Sequence, residues 1–210
     1  MSEIARLAAT IFKRAAGRSR FVIAIAGPPG AGKSTLAEEL KALLPEGQAV
    51  VVPMDGFHFD DAVLTRRGLR QRKGAPETFD LAGFQHLLTR IRACEPAIAI
   101  PVFDRSIELS RAAADIVEAE TKFVLTEGNY LLLDEPAWAG LAPLFDFTIF
   151  IDVPRAELER RLLRRWHDHG RAEADARAWV ASNDMPNVER VLGRRRVADL
   201  VLNGEPGSSA

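Results

Sequence analysis

The stretch from Gly27 to Ser34, Gly-Pro-Pro-Gly-Ala-Gly-Lys-Ser, constrains the fold of this chain more than any other. It matches the pattern G-x-x-x-x-G-K-[ST] at every fixed position. The apolar run at 21–26 before it is typical of a buried strand, and residues 35–44 after it carry leucines on one helical face. A strand, a glycine-rich loop and a helix in this order predict a phosphate-binding loop, where backbone N–H groups and the helix N-terminus bind phosphate oxygens.

Two side chains of this motif predict the chemistry of the bound phosphate. Lys33 offers a full positive charge to the β- and γ-phosphates of a nucleotide, and Ser34 offers a hydroxyl to Mg²⁺. The alternative is a chance glycine turn beside a solvated lysine, and the flanking strand and helix disfavour it. We therefore expect the loop to bind a nucleotide triphosphate together with Mg²⁺. The expected nucleotide-binding residues are Gly27, Gly30, Ala31, Gly32, Lys33, Ser34 and Thr35.

Composition narrows the remaining classes of protein. A formal net charge of −1 disfavours nucleic acid as a partner, and no apolar run approaches the roughly 18 residues that a membrane span requires. The single cysteine, Cys94, excludes an intrachain disulfide, suits a cytoplasmic location and is expected to be a small buried side chain. The basic, amphipathic segment 4–14 resembles a transit peptide, but we interpret it as a packing helix. The expected oligomeric state is a monomer or a homodimer.

Strand and helix patterns alternate along most of the chain, which predicts an α/β protein with a mainly parallel sheet between two layers of helices. Pro101 restricts the strand-like segment 97–103 to an edge strand or a hairpin arm. We expect one domain over residues 1–203, a helical lid at about 164–182 and a frayed tail at 204–210. The other predicted strands cover 49–54, 122–126, 145–152 and 197–202, and the other predicted helices cover 81–93, capped by Asp80, and 154–166.

Three predicted strands end in acidic residues, Asp55, Glu127 and Asp152. Ligands of open α/β sheets bind at the carboxyl ends of the strands, so these carboxylates are expected near the nucleotide. Asp55 is a candidate general base for a substrate hydroxyl, and Glu127 is a candidate ligand of Mg²⁺ or of substrate hydroxyls. For both residues the alternative is an ordinary turn at the end of a strand.

Four arginines, at 160, 161, 164 and 165, lie on the predicted helix after Pro154. Arginines crowded beside a triphosphate can neutralise the charge that develops on the transferred group. The alternative is a solvated basic face that pairs with Glu157 and Glu159. The segment that follows, at 166–176, could form a lid that excludes water.

Three further polar residues are candidates for the substrate side. His58 either contacts substrate or is a packed histidine. Asp104 and Arg105 follow the segment 97–103 and could bind the hydroxyls of a polyol or a sugar. The alternative for this pair is a surface salt bridge in a turn.

Several segments together resemble the phosphoribulokinase/uridine kinase group of P-loop kinases, which also includes bacterial pantothenate kinase and nicotinamide riboside kinase. The similarity is closer to the bacterial fructose transport system kinases, also called fructokinase-like proteins. It covers about residues 20–203, and the segment Lys-Gly-Ala-Pro-Glu-Thr-Phe-Asp is its most specific part. The segments that carry it lie at 54–59, 70–80, 103–105, 127–133 and 186–191.

The resemblance implies the three-layer P-loop NTPase fold, ATP as phosphoryl donor and Mg²⁺ near Ser34. It implies catalytic roles for Lys33, Asp55, Arg161, Arg164 and Arg165, and metal ligation by Ser34, Asp55 and Glu127. The expected substrate contacts are His58, Lys73, Phe79, Asp104, Arg105, Glu127 and Asn129. Asn187 and Arg190 lie in the last shared segment without an assigned role.

The leading hypothesis is an ATP-dependent kinase that phosphorylates a hydroxyl of a small molecule, with fructose or another sugar as acceptor. Pantothenate, a nucleoside or a vitamin riboside is the alternative acceptor. An alternative of another class is an ATP-dependent regulatory switch without an acceptor. The sequence contains neither the Asn-Lys-x-Asp motif of GTPase switches nor an ABC-type signature.

Overall fold

A computed structural model describes residues 2–204 of the chain. Its strands are β1 (Phe21–Ala26), β2 (Ala49–Pro53), β3 (Ile98–Asp104), β4 (Leu109–Val117), β5 (Phe123–Gly128), β6 (Phe147–Asp152) and β7 (Leu200–Asn203). Its α-helices are α1 (Glu3–Arg14), α2 (Lys33–Leu43), α3 (Asp61–Arg66), α4 (Leu81–Arg92), α5 (Pro136–Ala139), α6 (Arg155–Asp168), α7 (Glu173–Trp179) and α8 (Met185–Gly193). A π-helical turn, Val180–Asp184, joins α7 to α8, and short 3₁₀ turns occupy Met54–Phe57, Arg70–Arg72, Pro76–Thr78 and Ala142–Leu144.

Five strands form one parallel sheet in the order β2-β5-β1-β6-β7. In this register Ala26 of β1 lies beside Gly128 of β5, and Pro53 of β2 lies beside Glu127. The phosphate loop and the segments after β2 and β5 therefore leave the sheet at the same edge, as expected for ligand-binding ends of parallel strands. The predicted α/β fold with a mainly parallel sheet is confirmed.

The central strand β1 is buried on both faces, and its alternate side chains supply two separate cores. Ile23 and Ile25 pack with α1, α2 and α6 on one face, whereas Val22 and Ala24 pack with α4 and β3 on the other. This period of two places a layer of helices on each side of the sheet.

The strand-like segment that contains Pro101 is a hairpin arm, as predicted: β3 pairs antiparallel with β4 in a separate two-stranded sheet. The register of this pair shifts between Ile100 and Val102, beside the proline that cannot donate to the ladder. The sequence patterns did not predict β4 at all. Its residues Ser110 to Ile116 are mostly exposed, so no alternation of buried apolar side chains marks the strand.

The helix that Asp80 was predicted to cap and the predicted N-terminal packing helix are both present. Asp80 caps α4 by accepting the Gly83 N–H at 3.0 Å, and α1 packs into the core through Leu7 and Ile11. Within residues 2–204, no helix is both long and apolar enough to cross a membrane. Of the predicted tail, Gly204 donates its N–H to the Asp152 carbonyl at 2.7 Å, and the rest lies outside the described residues.

The expectation for Cys94 was wrong. The residue is exposed and has a positive φ of 56°, because it lies in the tight turn that ends α4. Its sulfur lies 3.6 Å from the Oγ of Ser19, which precedes β1 at the end of the strand opposite to the phosphate loop.

Candidate active site

The glycine loop connects β1 to α2 and turns through two residues with positive φ, Gly30 at 81° and Gly32 at 91°. These backbone angles favour glycine because a Cβ would be strained there. Gly32 is the N-cap of α2, and no side chain caps the helix. The first amides of α2 therefore remain free of a side-chain acceptor, as an anion-binding helix end requires.

Lys33 is held close to the loop in which it lies. Its Nζ donates to the Pro28 carbonyl at 2.9 Å, and only 8% of the residue is exposed. Burial lowers the pKa of Lys33 from 10.5 to about 8, although the charges of Glu127 and Asp55 act in the opposite direction. The lysine is thus a strongly desolvated cation, and such a charge attracts a phosphate more strongly than a solvated one.

A hydroxyl and a carboxylate meet beside the loop: Ser34 Oγ donates to Glu127 Oε1 at 3.1 Å. Glu127 is 7% exposed, and burial together with the charge of Asp55 raises the pKa of its carboxyl. Burial and a like charge disfavour the ionised form of this acid. A divalent cation nearby would stabilise that ionised form.

The described residues do not group three or more His, Cys, Asp or Glu side chains into a metal cage. The pair formed by Ser34 and Glu127 nevertheless fits Mg²⁺. This ion keeps several waters and takes few protein oxygens when it is bound with substrate phosphates. Asp55 lies near enough to raise the pKa of Glu127, so it adds negative charge to the same region.

Asp55 lies in the 3₁₀ turn after β2, and one of its oxygens is engaged. Arg105 Nη2 donates to Asp55 Oδ2 at 2.7 Å, and His58 Nε2 lies 4.0 Å from Oδ1. Burial opposes ionisation, but the charges of His58, Arg105 and Lys33 outweigh it and lower the pKa of Asp55. Asp55 is therefore ionised, which a general base must be before it accepts a proton.

The four candidate arginines of α6, at 160, 161, 164 and 165, separate into two groups. Arg160 and Arg161 both bind Glu157, at 2.6 and 2.7 Å, and Arg161 Nη1 also donates to the Gly30 carbonyl at 3.4 Å. Arg164 is exposed, and the Arg165 guanidinium lies 5.7 Å from the centre of the Trp166 ring. The pairing with Glu157 matches the alternative considered for this helix, although the four arginines also line the cleft described below.

His58 and Lys73 lie on the predicted substrate side. The His58 ring stacks on Phe79 at 3.9 Å and lies 5.3 Å from Phe103. Lys73 Nζ binds Asp61 at 2.8 Å and lies 5.1 Å from the centre of the Phe103 ring. Burial lowers the pKa of His58, so the imidazole is neutral at pH 7.

One cleft of about 1260 Å³ receives most of the predicted site residues. Gly27 and Ala31 belong to the loop but are buried and do not line the cleft, and Phe79 is buried against the ring of His58. The predicted residues that line the cleft are Gly30, Gly32, Lys33, Ser34, Thr35, Asp55, His58, Lys73, Arg105, Glu127, Asn129, Arg161, Arg164 and Arg165.

Asp104, which the resemblance places among the substrate contacts, does not line the cleft. Its Oδ1 accepts from the Ser106 N–H at 3.0 Å, and its Oδ2 lies 3.4 Å from Arg111 on β4. Asp104 therefore shapes the hairpin turn, and we do not include it in the proposed site. Asp152 is likewise absent from the lining of the cleft.

The structure adds residues that the sequence patterns did not identify as site residues. Arg171 lies over two indole rings, 4.3 Å from that of Trp166 and 4.7 Å from that of Trp179. Trp166 Nε1 donates to Asp184 at 2.6 Å, which ties α6 to the π-helical turn. All four residues line the cleft, and Asn187 lines it too. No spacing in the sequence predicts this meeting, because α6, α7 and the turn come together only by packing.

The comparisons with known proteins agree with this architecture. The model described as "Phosphoribulokinase / Uridine kinase family" matches residues 22–204. The uncharacterized protein YggC of Escherichia coli K12 is 40% identical over 87% of this chain and 77% of its own length. A pantothenate kinase of Sorangium cellulosum is 32% identical over 97% of this chain and 75% of its own length.

A solved structure extends the similarity to three dimensions. The crystal structure named as that of a putative fructose transport system kinase from Silicibacter sp. TM1040 superposes with a TM-score of 0.90 and 42% identity. The match covers 96% of this chain and 100% of that one. The resemblance inferred from the motifs is thereby confirmed: the chain belongs to the phosphoribulokinase/uridine kinase family.

Proposed function

We propose that this protein transfers the γ-phosphoryl group of ATP to a hydroxyl of a small molecule. The observation that carries the proposal is one cleft that holds both the phosphate loop and an ionised Asp55. In the reaction the acceptor oxygen forms a bond to the γ-phosphorus, the bond from that phosphorus to the β–γ bridging oxygen breaks, and ADP leaves. Asp55 accepts the proton of the acceptor hydroxyl.

The donor half of the site consists of the loop amides, Lys33 and the start of α2. Lys33 binds the β- and γ-phosphates, and Ser34 and Glu127 would hold Mg²⁺, which neutralises phosphate charge when bound. Arg161 lies within hydrogen-bond distance of the Gly30 carbonyl. The charge of Arg165 lowers the pKa of both Lys33 and Asp55, so Arg165 lies near both residues. These two positions support α6 as a charge clamp over the transferred group, with residues 164–182 as a lid.

The acceptor half consists of Asp55, His58, Lys73, Phe103 and Arg105. A planar aromatic surface beside hydrogen-bonding and charged groups suits a hydroxylated acceptor, and fructose or another sugar is the first class to test. Pantothenate, nucleosides and ribosides are the second class, since a relative 32% identical to this chain is a pantothenate kinase.

The test compares Asp55→Asn with Asp60→Asn, a matched change at the exposed cap of α3. Each variant is assayed for ATP binding by calorimetry and for acceptor-dependent ADP release across the acceptor panel. We expect Asp55→Asn to bind ATP normally and to lose about 10²- to 10⁴-fold in phosphoryl transfer, the usual contribution of a general base. Near-wild-type transfer by Asp55→Asn would reject the assigned base, and ADP release that never depends on an acceptor would favour a nucleotide switch.

A further inference from the structure

Arg105 binds the carboxylate of Asp55, which is the general base in the proposed function. Arg105 comes from the β3–β4 turn, and its Nη2 lies 2.7 Å from Asp55 Oδ2. The Arg105 side chain is 46% exposed and that of Asp55 24%, so a ligand in the cleft can reach both partners. A carboxylate already bound to a guanidinium is a weaker base than a free one.

A second guanidinium lies close to this pair. Burial and the nearby positive charge of Arg105 lower the pKa of Arg165 on α6. Within residues 2–204, no carboxylate is hydrogen-bonded to Arg165. The positive charges of Arg105 and Arg165 both act on Asp55, although Asp184 and Glu108 also lie near Arg165, and of the two arginines only Arg105 is hydrogen-bonded to Asp55.

The other polar groups of the acceptor half have partners of their own. Lys73 is already paired with Asp61, and its Nζ also lies 3.6 Å from Glu108 Oε2. His58 is buried between aromatic rings, and it is neutral at pH 7. Arg105 and Arg165 are therefore the two cations of this half that act on Asp55, whose carboxylate the proposed reaction requires as a base.

We propose that the acceptor carries an anionic group in addition to its hydroxyl, and that Arg105 is the specificity-determining residue that binds this anion. A carboxylate or phosphate on the acceptor replaces Asp55 as the partner of Arg105 and adds a counter-charge for Arg165. Asp55 is then released to face the hydroxyl. Sugar acids and sugar phosphates fit this requirement, whereas neutral sugars leave Asp55 bound to Arg105. The inference rests on the proposed kinase function and narrows its acceptor class.

The test uses related compounds that differ in whether they carry an anionic group: glycerol, glycerate and glycerol 3-phosphate, and panthenol with pantothenate. Binding to the full chain is measured by calorimetry in the presence of Mg²⁺ and a non-hydrolysable ATP analogue, which keeps the anions out of the phosphate loop. We expect saturable binding of an anionic member and none of its neutral counterpart. Binding of only the carboxylates or only the phosphate identifies the chemical source of the anion.

Two variants assign the effect to Arg105. Arg105→Gln should weaken anion binding by at least about tenfold, the effect of losing a charge-assisted hydrogen bond. Arg111→Gln removes an arginine of the same hairpin that pairs with Asp104 outside the cleft, and it should bind as the wild type does. Equal binding by Arg105→Gln and wild type, or no binding of any anionic member, overturns the inference.

Phosphoryl-transfer assays distinguish a failure of the anion requirement from a failure of the proposed kinase function. Phosphorylation of a neutral acceptor as fast as its anionic counterpart overturns the anion requirement and leaves the kinase function in place. ADP release without any phosphorylated acceptor, unchanged in Asp55→Asn, overturns the kinase function itself.

Discussion

Lys33 makes the stability of this protein depend on pH in a range where few other groups titrate. Its pKa is about 8 in the folded chain, because burial disfavours the charged form, against 10.5 for an ordinary lysine. Below pH 8 the lysine is protonated in both states, and the full desolvation penalty opposes folding. As pH rises from 8 to 10.5 the folded state loses the proton first, so stability increases.

The linkage relation converts this shift into a magnitude. Between pH 7 and pH 9.5 a group with these two pKa values adds about 2 kcal/mol to the free energy of unfolding. Lys33→Met removes that titration, so the difference in stability between wild type and variant should change by about 2 kcal/mol over the same range. Lys41→Met, on the same helix, controls for the loss of a lysine.

The assay is urea unfolding followed by circular dichroism at several pH values between 7 and 9.5, without nucleotide. Each series gives the free energy of unfolding by linear extrapolation. Parallel pH profiles for wild type and Lys33→Met would refute the reasoning, because they would mean that Lys33 keeps its ordinary pKa in the folded chain.

Three further predictions concern the site and its supports. Glu127→Gln should raise the Mg²⁺ concentration needed for half-maximal transfer at least severalfold, since a neutral amide is a poorer ligand; an unchanged Mg²⁺ titration contradicts the assignment. Arg165→Gln should lower kcat by about 10²-fold or more. Arg160→Gln should lower it much less, because Arg160 is ion-paired with a carboxylate of its own helix. Equal kcat values in the two variants argue against the charge clamp. Gly56→Ala should destabilise the chain by about 1–3 kcal/mol in urea unfolding, because the new Cβ would collide with a backbone carbonyl of β3. Gly193→Ala is the control, because its Cβ meets open space. Equal stability of the two variants contradicts the packing argument.

Local chemistry made the donor half of the site predictable. A phosphate loop uses consecutive residues, and its strand and helix lie beside it in the sequence, so the pattern around Lys33 and Ser34 is sufficient to place both residues at the end of β1. The parallel sheet followed in part from strands such as β1, whose six residues are all apolar and buried. Such strands can be recognised in a short window because they are buried on both faces.

The acceptor half was less predictable because it depends on packing between distant segments. The contact of Arg105 with Asp55 joins residues 50 positions apart, across a hairpin whose second strand has no buried alternation. Asp104 illustrates the same limit: its neighbour Arg105 faces the cleft, while Asp104 turns towards Ser106. The spacing of two adjacent residues cannot tell which of them a strand end directs to the ligand.

The uncapped start of α2 is expected to make the stability of the fold depend on bound nucleotide. A polyphosphate that satisfies the amides after Gly32 binds only the folded chain, and at one hundred times its dissociation constant it adds about 2.7 kcal/mol to the stability. For a domain of this size that gain corresponds to a rise in melting temperature of roughly 5–10 °C. A thermal-shift screen can therefore add the nucleotide first and a candidate acceptor second. A further rise in melting temperature in the second step detects an acceptor without requiring turnover.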